Sequence, residues 1–124
     1  AGGGSIASSS PTAGIGYATG AGGTQTQATN KQTSVTSNTL TTVIAMNAEA
    51  LNLLTTTAFT FTNSTIAASD HVLCSHVAVG TSGAYTVNAF PGAGSAVISV
   101  RNNTAGSLAE AIVIRVTVIK AVSA

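Results

Sequence analysis

Beyond position 32 the chain breaks into short runs in which apolar and polar residues alternate, each run ended by Gly, Asn, Ser or Pro. That is the arrangement of successive half-buried β-strands. Leu40, Thr42, Ile44 and Met46 share a face against Thr41, Val43, Ala45 and Asn47. Phe59 and Phe61 oppose Thr60 and Thr62, and Leu73, Val77 and Val79 form an apolar face interrupted by Ser75. Tyr85, Val87 and Ala89 alternate with Thr86 and Asn88 up to Pro91-Gly92, which reads as the end of that strand because proline cannot donate to a ladder. Ala96, Ile98 and Val100 oppose Val97, Ser99 and Arg101. After a turn from Asn102 to Ser107 comes the strongest alternation, from Glu110 to Lys120, with Ile112, Ile114, Val116 and Val118 on one face and Val113, Arg115, Thr117 and Ile119 on the other. Asn47 to Leu54 alone predicts a short helix, with Asn47 as its N-cap and Ala48, Glu49, Ala50 and Leu51 as good helix formers.

Strands at roughly ten-residue spacing, joined by connections too short for crossovers, predict an all-β domain over residues 33–124. The expected architecture is a single small antiparallel β-sandwich or jelly-roll-like barrel of six to seven strands. Residues 1–32 differ: they are nearly all Gly, Ser, Ala, Thr, Gln and Asn, with only Ile6, Ile15 and Tyr17 as sizeable apolar side chains. Such a segment makes no core of its own and is expected to be an extended arm, ordered by lying across a neighbour.

Charge changes the functional picture more than the fold. Only 6% of the residues are charged, and the formal net charge is +1. Four scattered basic residues (Lys31, Arg101, Arg115 and Lys120) form no basic patch, so nucleic-acid binding is not expected. The longest apolar runs fall far short of a membrane span, and residues 1–10 lack the basic start and leucine-rich run of a signal peptide. A near-neutral chain with Thr, Ser and Asn on its outward strand positions is poorly protected against association and suited to permanent contacts. The single cysteine, Cys74, excludes an internal disulfide.

Candidate chemistry is sparse. The glycines from Gly14 to Gly20 lack the preceding strand, following helix and acidic residue of a dinucleotide-binding loop. His71, Cys74 and His76 are potential metal ligands, but on a strand His71 faces away from the other two. Asp70 beside His71 has no activated nucleophile to serve. Asn63-Ser64-Thr65 and Asn102-Asn103-Thr104 fit the glycosylation acceptor pattern and are expected to make turns instead. No catalytic residue, cofactor or metal site is expected.

Several segments together resemble small virion proteins of tailed bacteriophages: residues 14–31 (GIGYATGAGGTQTQATNK), 61–70 (FTNSTIAASD), 83–89 (GAYTVNA) and 101–114 (RNNTAGSLAEAIVI). The resemblance runs from about Gly14 to the C-terminus. It implies a capsid decoration, or cement, protein on the outer surface of the capsid, commonly a homotrimer, whose partner is the major capsid protein. It also implies that Gly14 to Lys31 is the arm that reaches a neighbour, with Ile15, Tyr17, Thr24, Gln25, Thr26, Gln27 and Lys31 as the expected contact residues. Related modules end tail-fibre-like proteins, so a receptor- or glycan-binding tip is the alternative. The supply of aromatic side chains, with no Trp, two Tyr and three Phe, is poor for a sugar platform.

Overall fold

Alternating Thr with Val, Ile or Phe suits a pleated surface that is apolar on one side only. Eight strands form from it in the computed structural model, which describes residues 4–122. Positions 1–3 of the expected arm and 123–124 of the expected domain lie outside the described residues. The strands are β1 (Gly22–Thr26), β2 (Val35–Thr36), β3 (Thr41–Ala45), β4 (Thr56–Thr62), β5 (His71–Ala78), β6 (Tyr85–Gly92), β7 (Ser95–Asn102) and β8 (Val113–Ile119). They make two four-stranded sheets, ordered β1-β3-β8-β5 and β2-β4-β7-β6. The all-β sandwich is therefore as expected, with eight strands rather than six or seven and without closure into a barrel.

The sheets are mixed, not purely antiparallel. β1 runs parallel to β3, and β2 parallel to β4. Short connections do not prevent this, because each successive strand from β1 to β6 is laid in the opposite sheet. The strand between two parallel partners is itself the crossover. Residues 22–26 of the expected arm are thus a sheet strand, paired from Gly22↔Thr41 to Thr26↔Ala45.

The inner faces meet in a core of Ile44, Met46, Phe59, Phe61, Ile98, Val100, Ile112, Ile114, Val116 and Val118, all buried. These are the side chains that the period-two pattern grouped on one face of β3, β4, β7 and β8, with Met46 just after β3 and Ile112 just before β8, and each contributes about 1.5–3 kcal/mol on full burial. Three readings are corrected. Asn47 to Leu54 is not helical: the Asn47 carboxamide accepts the Glu49 N–H, and Leu51 forms a two-bond bridge with Leu108. A local side-chain bond and a tertiary pairing override helix propensity there. Pro91-Gly92 does not end its strand, because β6 is an edge strand and an absent N–H on the free side costs no ladder bond.

The third correction concerns β5. Val72 is its buried residue and Cys74 and His76 are half-buried, whereas Leu73, Val77 and Val79 are exposed. Counting large apolar residues selected the outward face, since the inward one carries the polar-looking Cys74 and His76. The register then breaks between His76 and Ala78, and Val79 follows with φ of 57°. A β-branched residue in left-handed backbone is strained by roughly 1–2 kcal/mol. Val79→Gly is therefore expected to raise stability by about 1 kcal/mol in urea unfolding, because the exposed side chain contributes little packing. A lower midpoint would contradict the strain.

Candidate interaction surface

Each sheet presents an outward face of nearly neutral side chains. On the first, cross-strand rows run Thr41–Thr117–Leu73 and Val43–Arg115–Ser75, and Ile119 lies opposite His71. The Thr41 and Thr117 hydroxyls are 3.2 Å apart. On the second, Thr60–Val97–Phe90 and Ala58–Ser99–Asn88 form rows beside Thr56–Arg101–Thr86. Phe90 is 77% exposed, and Leu73, Val97 and Ile119 are also open to solvent. One guanidinium stands on each face, Arg115 or Arg101, while the ion pair among the described residues is elsewhere, between Lys120 and Asp70. Apart from these two guanidinium groups, covering either face would desolvate no charge on these rows.

The arm residues fall into two groups. Residues 4–20 are exposed throughout, and Tyr17 crosses the first sheet to donate its hydroxyl to the Val118 carbonyl. Ile15, Gly16 and Tyr17 form one wall of a groove of about 410 Å³, with Thr41, Thr117 and Ile119 as its floor. Thr24 and Thr26 are exposed on β1, and Gln25 is half-buried.

Gln27 and Lys31 turn inward. The Gln27 amide donates to the Lys31 and Thr33 carbonyls at 2.9 and 3.0 Å and accepts the Asn47 N–H at 3.1 Å. Lys31 is 0% exposed, with its ammonium donating to the Asn47 and Glu110 carbonyls and its own N–H to Glu49. Burial lowers the Lys31 pKa, while the nearby Glu49 and Glu110 charges pull it back up. In this chain's own fold both side chains are internal struts, and the surface accessible to a neighbour is the part of the arm before β1 together with the exposed Thr24 and Thr26 on β1.

Beyond the arm, one polar cluster gathers at the strained turn. Glu110 accepts from Tyr85 at 2.7 Å and from the Thr81 N–H and hydroxyl at 3.0 and 2.9 Å. The Tyr85 bond, with those from Thr81, holds its carboxyl below the ordinary range, and Tyr85 is correspondingly raised by burial and by that carboxylate. The His76 ring meets Tyr85 edge-on at 5.4 Å, and its Nε2 contacts the Ala78 and Val79 carbonyls at 3.0 and 2.6 Å. Every oxygen of Glu110 is engaged, so the cluster fastens the 78–81 turn to the sandwich. His71 is exposed and Cys74 faces the interior, its thiol pushed up to about 12 by burial. No three His, Cys, Asp or Glu side chains among the described residues are placed to hold a metal ion.

The exposed side chains Leu73, Phe90, Val97 and Ile119 were not among the expected contact residues, although Leu73, Val97 and Ile119 were placed on strand faces. Alternation marks which residues share a face, and the sign of the face follows only once the opposite sheet is placed. Comparison with family models, with curated proteins and with solved structures finds no match for this chain.

Proposed function

We propose that this chain is a structural decoration protein of a tailed-bacteriophage capsid: a homotrimer on the outer surface of the major capsid shell, stabilising it by added contacts. The observation that carries this reading is the pair of neutral outward faces, with Phe90, Leu73, Val97 and Ile119 uncovered and residues 4–20 projecting beside them. The sequence resemblance to small virion proteins supports it. Many weak contacts repeated over a lattice add up through multivalency, so no single deep site is needed.

The test is binding to undecorated shells of the cognate major capsid protein. The full chain is expected to co-sediment with them and to raise the temperature at which they rupture, as seen by electron microscopy. A chain lacking residues 1–19 is expected to lose shell binding while keeping its β-type circular dichroism, since the cut lies before β1. Full-length protein that leaves the shells bare would end the decoration reading, and undiminished binding by the shortened chain would remove the arm from it.

A further inference from the structure

Residues 4–20 are poorly held by their own body. Their long-range side-chain bond is the one from Tyr17 to Val118, and the others join Ser8, Ser10, Thr12 and Ala13 among themselves. Seated this way, Ile6 is 86%, Ile15 68% and Tyr17 43% exposed, and the groove beside them stays open. One net hydrogen bond contributes about 1 kcal/mol, while ordering each residue's backbone costs about as much or more. Attachment to the chain's own groove is therefore weak.

At 6975 Å² the accessible surface exceeds the roughly 6,000 Å² expected of a compact monomer of 12.0 kDa, and the uncovered arm itself accounts for excess of this kind. A hinge is also in place. The chain reverses at Ala18–Ala21, closed by the Ala21 N–H on the Ala18 carbonyl at 3.1 Å, and Gly20 there has φ of 102° with open space around it. Straightening this turn sends Ile15 and Tyr17 away from their own sheet, and since they lie five and three residues before Gly20 they reach about 17 and about 10 Å from it, enough to seat on a copy packed directly alongside.

We propose that the arm is exchanged between copies: Ile15 and Tyr17 of one chain seat on the Thr41–Thr117–Ile119 floor of a second, and each chain gives one arm and receives one. The seat accepts the same residues in either case, so exchange requires no new complementarity, and it brings the uncovered Leu73 and Ile119 of the receiving sheet beneath a neighbour. The inference rests on the arm reading of the proposed function and names the arm's receptor as another copy of this chain.

Disulfide trapping tests it. Ile15→Cys and Ile119→Cys chains, each carrying Cys74→Ser and tags of different mass, are mixed unfolded, refolded together and oxidised. A mixed disulfide joining position 15 of one chain to position 119 of the other is expected as the main product. The chain carrying both cysteines is expected to oxidise to covalent dimers and higher species. In parallel, unmodified full-length protein should sediment as an oligomer, and Tyr17→Ala should shift it towards monomer. A doubly substituted chain that closes on itself at monomer mass overturns the exchange, as does an oligomer indifferent to Tyr17→Ala. A monomer that still coats capsid shells would likewise overturn it and leave decoration standing.

Discussion

Lys31→Ala is expected to lower the unfolding free energy by about 3–5 kcal/mol, among the largest effects of any single substitution in this chain. Lys31 is among the largest of the fully buried side chains, so truncation leaves a void that close-packed surroundings refill only partly. It also strips the ammonium from the Asn47 and Glu110 carbonyls, which come from segments distant in the sequence. Each carbonyl left dry costs about 1–3 kcal/mol. Lys31→Met separates the two contributions: it keeps most of the volume and removes only the donor, so a smaller loss of about 2 kcal/mol is expected. Equilibrium urea unfolding of the three proteins provides the check. If methionine is as costly as alanine, the hydrogen bonds dominate, and if alanine costs under about 1 kcal/mol, the strut reading is wrong.

Asn102→Ala is expected to cost about 2–4 kcal/mol and to loosen two loops together. The Asn102 side chain is fully buried at the end of β7, donating to the Leu51 and Gly106 carbonyls at 2.9 Å and accepting from the Thr104 N–H and hydroxyl at 2.9 and 2.7 Å. Asn63 repeats the device at the end of β4. It donates to the Thr39 carbonyl at 2.7 Å and accepts from the Thr65 N–H and hydroxyl at 3.0 and 2.8 Å. Both Asn-x-Thr triplets are thus turn closures whose amides face inward. Hydrogen exchange should show Leu51 and Leu108, which bridge each other beside Asn102, losing protection in Asn102→Ala while the β3–β8 pairing keeps most of its own. Asn102→Asp retains the acceptor and loses the donor, and should fall between wild type and alanine. Equal stability of alanine and wild type would mean that water replaces the carboxamide at no cost.

These two residues also mark how far the sequence could be read. Strict alternation made β3, β4, β7 and β8 legible, because one face of each packs on the opposite sheet and the other meets solvent. β1 escaped notice since Gly22-Gly23-Thr24-Gln25-Thr26 carries no apolar period. It is held by main-chain pairing with β3 and by the Gln27 amide, and neither leaves a hydropathy signal. Lys31 was assigned to a contact surface as the end of the arm that the resemblance implies, and a lysine there would ordinarily be exposed. Only the convergence of two carbonyls from distant segments makes its burial tolerable, and that convergence belongs to the tertiary structure. The Asn-x-Thr turns were readable, since a short polar side chain bonding two residues ahead is a local matter. The outward face of β5 was not, because Leu73 and Val77 look like core when exposure is unknown. Of the arm, the residues before β1 and the outward Thr24 and Thr26 remain accessible, and Ile15 and Tyr17 are its large apolar side chains.

The placement of β8 has a consequence for synthesis. It lies between β3 and β5 at the centre of its sheet, pairing Ile114 with Ile44 on one side and Val118 with Val72 on the other. On a ribosome β1 and β3 can pair with each other, but β5 cannot join their sheet until β8, ending at residue 119, has emerged. Such long-range closure makes folding slow and all-or-none. Chains that stop before β8 would leave this sheet open.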